Sequence, residues 1–312
     1  MWTLEEFESA VRRHDARLAE LGQAIWVGSE PTFTDRAAQT PEWLNQALGG
    51  DKEQRAQRLL GGLCRRYPGS LALRSVGRQY PGEERPRWNL GCYRRRDATP
   101  IWDGPPDPIL AAAGAATAAA DLDIWAAALA AALRARGWAV TPLPASDAEE
   151  RRLLLRFDAA PPPDPADPRL ARASVHARRI AAEGLRDELA EGGAHLFILN
   201  LDNDDGAPIA SLELPSFDAV AGYLGVLECV AASARACGLA DLILSGYPPP
   251  VDATVEWTTV TPDPAVIEVN SAPSVDALDF LRRGREIYAA AAEQGLAPYR
   301  LYFDGAVARS EE

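Results

Sequence analysis

His195-Leu196-Phe197-Ile198-Leu199-Asn200-Leu201 is an apolar run of strand length, Asn203-Asp204-Asp205-Gly206 is turn chemistry, and Pro208-Ile209-Ala210-Ser211-Leu212-Glu213-Leu214 returns as a second run. Two such runs joined by an Asp-Gly turn read as a β-hairpin. A second hairpin is expected where residues 255–260 and 265–270 flank Thr261-Pro262-Asp263-Pro264. Between and around these lie a helix over 174–191 stopped by Gly192-Gly193, a helix from a Ser216 cap to Gly238, and a strand at 242–244. Further on come a helix from a Ser274 cap to Gly295 and a short strand at 299–303. Hairpins outnumber strand-helix-strand crossovers. The expected fold is therefore α+β, a largely antiparallel sheet with helices packed on one face.

Toward the N-terminus, Thr3 and Glu6 have capping-box spacing. Leu4, Phe7, Val11, Leu18 and Leu21 then make one apolar face of a helix that ends at Gly22. Ala24-Ile25-Trp26-Val27 reads as a buried strand running into Gly28. Asp51 is the expected cap of a helix through Arg66, with Pro68 and Gly69 as stops. Residues 71–76 read as a strand, followed by a loop broken by Gly and Pro and laden with Arg. The composition changes over 104–168, which is Ala-rich between proline clusters. Within a single 1–312 domain this reads as an insertion or linker.

The chain has 312 residues, 47% hydrophobic and 25% charged, with a formal net charge of −13. Such a surface repels polyanions on average, so nucleic-acid and anionic-membrane partners are not expected. No apolar run reaches spanning length, and the acidic N-terminus is not a signal peptide. Cys64, Cys92, Cys229 and Cys237 form no CxxC pair, which suits a reduced, cytoplasmic protein. The expected chemistry runs through carboxylates and arginines.

Three constellations could carry it. In Gly28-Ser29-Glu30-Pro31-Thr32-Phe33 a buried strand delivers the Glu30 carboxylate at its end; the alternative is an ordinary turn. Between Arg74 and Arg96 seven arginines stand against Glu83 and Glu84, a local charge of +5, interleaved with Tyr80, Trp88 and Tyr93. Arg offers planar bidentate recognition of carboxylate or phosphate, so a small anionic molecule is expected there rather than a merely solvated loop. Third, Ser211 and Glu213 share one face of their strand, and Glu268 and Asn270 share one face of theirs. Acid and amide oxygens about 7 Å apart on a strand suit a hard divalent cation; the alternative is a solvent-facing Glu on a half-exposed sheet. Arg85 and Arg87 are expected to face the same cavity as Glu30, because so many arginines need anions nearby. No P-loop, dinucleotide fingerprint or nucleophile elbow is present.

Four stretches carry a resemblance: residues 26–33, residues 79–88, Gly246-Tyr247-Pro248-Pro249-Pro250, and residues 261–270. Together they resemble the amidoligase domain found fused to, or encoded beside, bacterial transglutaminase-like proteins. The resemblance implies a glutamine-synthetase-like fold and a carboxylate–amine ligase. Such a ligase uses ATP and Mg²⁺ to activate a carboxylate as an acyl phosphate, which an amine then attacks. It implies Glu30, Glu213, Glu268 and Asn270 as metal ligands. Arg78, Arg85 and Arg87 are implied as catalytic arginines, and Arg78, Tyr80, Glu83 and Trp88 as cofactor contacts. Substrates would be a small-molecule or peptide carboxylate and an amine. A Gly-rich, His-containing segment expected after 301–303 does not follow. The chain therefore reads as the N-terminal part of the active unit, partnered by a transglutaminase-like protein or a C-terminal half. The alternative is a non-catalytic module that recognises a carboxylate.

Overall fold

A computed structural model describes residues 3–23, 28–110, 121–144, 149–158, 160–177, 185–202, 209–299, 301–303 and 306–308. In chain order the elements are α1 (Leu4–Glu20), β1 (Thr32–Thr34), α2 (Pro41–Leu44), α3 (Gly50–Arg66), β2 (Leu71–Val76), β3 (Trp88–Arg95) and α4 (Leu122–Ala135). There follow β4 (Ala139–Leu143), β5 (Glu150–Arg156), α5 (Glu188–Glu191), β6 (His195–Asp202), β7 (Ile209–Leu214), α6 (Val220–Ala236) and β8 (Ile243–Gly246). The last are β9 (Val255–Asp263), β10 (Val266–Ser271), α7 (Ala277–Ala292), β11 (Ala297–Pro298), β12 (Leu301–Phe303) and β13 (Ala306–Ala308). The chain forms two compact units, Met1–Arg66 with Trp257–Glu312, and Tyr67–Glu256. No helix among the described residues is long and apolar enough to cross a membrane.

In the first unit the strand order is β11-β1-β10-β9, every pair antiparallel. From Ile267 onward β10 alternates buried and partly exposed residues, as does β9 through Val260, in the way a sheet covered on one face requires; Val266, beside the turn, is buried as well. Phe33 meets Tyr288 of α7 edge-on at 5.3 Å. The β9–β10 hairpin is tighter than expected. Asp263 pairs with Val266, so only Pro264 and Ala265 turn the chain, with Ala265 at φ +65°. The Thr3–Glu6 capping box forms as read, but none of the apolar stripe of α1 is fully buried.

In the second unit the order is β3-β2-β8-β7-β6-β5-β4. β8 runs parallel to both β2 and β7, and the other pairs are antiparallel. The β7–β8 step is a crossover through α6, whereas β6–β7 is the expected hairpin. One face, carrying Leu153, Leu155, Phe197, Leu199 and Leu212, is apolar, with α4 packed on α6 and on β4, β5 and β6. The opposite face is covered too: Leu154, Leu196 and Ile198 pack under Leu170 and Leu189. Burial on both faces explains why residues 196–199 are apolar without alternation.

Several local expectations are corrected. Residues 174–191 do not form one helix; Val175–Ala177 is a 3₁₀ turn and only α5 is helical among the described residues there. Ser216 does not cap α6, which starts at Val220 after Ala219; its backbone N–H donates to Asp187 and its carbonyl accepts from the His195 ring. Ser274 accepts from Arg283, and Asp276 caps α7 instead. The Arg-rich loop ends early, since its second half is β3, paired along its length with β2. Residues 104–168 include α4, β4 and β5, and β5 pairs with β6. The expected strand at 24–27 and the turn at 203–206 lie outside the described residues.

Candidate functional site

The first unit gathers three of the four expected metal ligands. The β1–β10 register pairs Thr32 with Glu268 and the Ser29–Ser271 bridge continues it, which sets Glu30 opposite Asn270. Strand alternation then puts Glu30, Glu268 and Asn270 on one face, beside Thr259 and Thr261 of β9. Asn270 Nδ2 donates to Glu268 Oε1 at 2.6 Å and approaches Thr261 Oγ1 at 3.4 Å. That bond orients the amide and turns its carbonyl oxygen away from Glu268. Glu30 is exposed, and Glu268 and Asn270 are half-buried.

Buried cations fix the strand that bears this face. Lys52, the only lysine in the chain, is fully buried; its Nζ donates to Gln46 O and Asp263 O, both at 2.9 Å, and lies 5.4 Å over the Trp43 ring. Arg283, 3% exposed, donates to Ala272 O at 2.9 Å just past β10. The β9–β10 hairpin is thus held through its backbone at the end of β9, beside the turn, and just past the end of β10. The composition singled out Lys52, but nothing in the sequence told its partners.

Glu213 belongs to the second unit and has a different environment. It is 2% exposed; Arg172 Nη1 donates to its Oε1 at 2.6 Å and Val175 N to its Oε2 at 3.0 Å. Burial disfavours the Arg172 cation, yet Glu213 and then Tyr247 outweigh it and raise its pKa. Across the sheet Glu213 pairs with Ser245 and Ser245 with Arg74, so these three share a face. Arg74 in turn holds buried Asp107 at 2.8 Å. Arg172 and Ser245 carried no signal in the sequence, since neither belongs to a motif and the partners of both are remote.

The arginine-rich stretch is also in the second unit. Arg87 stacks 4.1 Å from the Tyr80 ring centroid and donates to Glu83 Oε1 at 2.9 Å, while Glu83 Oε2 accepts from Tyr80 N at 3.0 Å. Backbone bonds from Arg87 N to Arg78 O and from Gly77 N to Arg87 O close the loop. Tyr80, Glu83 and Arg87 therefore form one braced group. Arg78 and Arg85 are exposed, whereas Trp88 is buried. Arg94 and Arg96 share Glu256, and Arg94 stacks on Tyr67 at 3.8 Å, so much of the local positive charge has partners within the unit.

Oxygen donors such as Glu30, Glu268 and the Asn270 carbonyl suit Mg²⁺, which is commonly held by one or two carboxylates and completed by water and phosphate. Glu213 already accepts one hydrogen bond on each oxygen, so a metal there would share the carboxylate with Arg172 and Val175 N or displace one of them. No group of three or more His, Cys, Asp or Glu side chains poised for a metal occurs among the described residues.

Among known proteins, no curated sequence and no solved structure gives a significant match. A family model described as "Putative amidoligase enzyme (DUF2126)" matches residues 2–206 and 209–310, and thus also spans the Ala- and Pro-rich 104–168 stretch. With that match running through nearly the whole chain, the protein belongs to this amidoligase family.

Proposed function

We propose that the protein is an ATP- and Mg²⁺-dependent carboxylate–amine ligase that joins a small-molecule or peptide carboxylate to an amine. The observation that carries this reading is the shared face of Glu30, Glu268 and Asn270 in the first unit, a set of hard oxygen donors beside a hairpin held by Lys52 and Arg283. Family membership supports the reaction class. When bound, Mg²⁺ would supply neutralisation of phosphate charge, held by Glu30, Glu268 and the Asn270 carbonyl. The chain's own residues do the rest: Asn270 keeps Glu268 oriented, and Lys52 and Arg283 keep β10 in place.

In the second unit, Arg78 and Arg85 are the exposed cations suited to steady phosphate or carboxylate. Arg87 sits in a braced position, with Tyr80 and Glu83 as its support. Such chemistry needs charge neutralisation and positioning rather than a protein nucleophile. Incubation with ATP, Mg²⁺, a panel of amino-acid and peptide carboxylates and hydroxylamine tests it. The expected result is hydroxamate with stoichiometric phosphate release that disappears with EDTA. No ATP-dependent product from any carboxylate, in a preparation that binds Mg–ATP, would overturn the ligase reading.

A further inference from the structure

We infer that the second unit contains an oxyanion subsite at the C-terminal ends of three parallel strands, with Arg172 as its bidentate anchor and Ser245 and Arg74 beside it. β2, β8 and β7 run parallel to one another, and in register Arg74, Ser245 and Glu213 form one row across them. Crevices at the carboxyl ends of parallel strands are where open sheets commonly receive ligands. β8 leaves through Gly246 at φ +119°, where a Cβ would lie 2.2 Å from Leu214 O. Only glycine lets the two strand ends approach so closely.

The guanidinium of Arg172 points to a ligand. Its side chain is 9% exposed and uses one nitrogen, Nη1, for Glu213 Oε1 and Ala173 O. Nε and Nη2, which together make the side-on fork of the group, are buried and have no acceptor among the described residues. Leaving buried charged donors without acceptors is costly, and native proteins rarely do it without a reason. A carboxylate or phosphate presents two oxygens at the spacing this fork needs. Glu213 fixes the group from its other side, while Tyr247, 5.6 Å away, flanks it. Arg74 repeats the pattern: Nη2 is on Asp107 and Nε is buried without an acceptor among the described residues. Ser245 lies between Arg74 and Glu213 in register, and it and Arg74 are partly open to solvent, which gives the ligand its approach. Among the described residues its hydroxyl has Leu212 O as acceptor, at a long 3.5 Å, so it is available as a further donor.

The subsite is built from residues of the second unit alone, and its test reads binding rather than turnover. The full chain would be titrated with inorganic phosphate and, separately, with glutarate. Calorimetry and the arginine Nε–H NMR resonances would follow the binding. At least one probe is expected to saturate and to shift the Arg172 resonance; which one does so tells whether the natural oxyanion is a phosphate or a carboxylate. Arg172→Lys keeps the charge opposite Glu213 and removes the fork, and is expected to weaken binding about tenfold or more. Ser245→Ala, which leaves the ion pair intact should Arg172→Lys fold poorly, is expected to weaken it about threefold. Saturation by neither probe, or wild-type affinity in the Ser245 variant and in a folded Arg172 variant, would overturn the inference.

Discussion

β7 and β10 carry the same local pattern, a Glu two positions from a polar residue on one strand face, yet Glu213 and Glu268 have opposite surroundings. Glu213 is 2% exposed and neutralised by Arg172, whereas Glu268 is half-buried and bonded to neutral Asn270. Buried cations serve both strands but act on different atoms. In the second unit the guanidinium holds a side-chain carboxylate. In the first, Lys52 holds backbone carbonyls at Gln46 and at the end of β9, and Arg283 holds the Ala272 carbonyl just past β10 together with the Ser274 hydroxyl. Holding the backbone fixes the hairpin through atoms other than its side-chain oxygens. Glu268 and Asn270 share their face with Glu30, while Glu213 is part of an internal ion pair.

The largest effect expected from this contrast is on stability. Glu213→Ala leaves the Arg172 guanidinium buried and uncompensated. It should cost about 3–5 kcal/mol, read as a lower urea midpoint. Replacing both members, Arg172→Met with Glu213→Leu, should recover most of the loss, since a buried ion pair contributes little over apolar residues of similar volume. A single Glu213→Ala variant as stable as wild type would mean the pair is not formed, and the contrast with Glu268 would collapse.

Lys52 comes next. Lys52→Met keeps the length of the side chain and removes the two charge-assisted bonds to Gln46 O and Asp263 O. An expected cost of about 2 kcal/mol follows from leaving buried acceptors without donors. The comparison sharpens if the same variant also weakens Mg²⁺ binding although residue 52 touches no proposed ligand. Unchanged stability would show that the hairpin is held without this cation.

How much of this was legible in the sequence depended on whether the deciding partners were local. The Thr3 capping box, β2 and the β6–β7 strands follow from neighbours within a few residues and appear as read, and α3 ends at Arg66 as expected, although it starts at Gly50 and Asp51 lies in its first turn instead of capping it. β3 was hidden because Arg94 and Arg95 look like loop residues. Their charges are absorbed by Glu256 and Asp97, and Arg94 is further stacked on Tyr67. The Ser216 and Ser274 caps failed for the same reason, since Asp187, His195 and Arg283 compete for those groups from far along the chain. In the candidate site, alternation placed Glu30, Glu268 and Asn270 on a common face only once the register was known. The cover over Glu213 comes from Arg172, 41 positions away in sequence, which no local pattern encodes.

A smaller, graded effect is expected at His195. Burial lowers its pKa below the ordinary 6.5, opposed by its bond to Ser216 O at 2.9 Å. The ring also stacks on Phe217 at 4.9 Å. A lowered folded-state pKa means the neutral ring is favoured in the fold. Its contribution is complete above the unfolded value of 6.5 and declines as pH falls below it, because the unfolded chain takes up the proton first. Unfolding free energies measured from pH 7.5 downward should therefore fall more steeply in wild type than in His195→Gln. Parallel profiles would remove His195 as a contributor.

The smallest stability effect is expected where the functional effect should be clearest. Glu268→Gln keeps shape and an oxygen acceptor for Asn270 Nδ2 while removing the charge. At a half-buried position on a polar face it should change stability by no more than about 0.5 kcal/mol. If Glu268 ligates Mg²⁺, the same change removes an anionic donor from a set with only two, Glu30 being the other. Mg²⁺-dependent nucleotide affinity should then drop by about tenfold or more, the order of a lost charged contact. Nucleotide affinity without Mg²⁺ should not change. Glu213→Gln is the matched control: it should lower stability through the Arg172 pair and leave the Mg²⁺ dependence as it was. Calorimetric titrations of both variants with and without Mg²⁺ separate the two roles. Equal Mg²⁺ dependence in wild type and Glu268→Gln would take β10 out of the metal site; a loss in Glu213→Gln instead would move that site to the second unit, with Arg172 displaced.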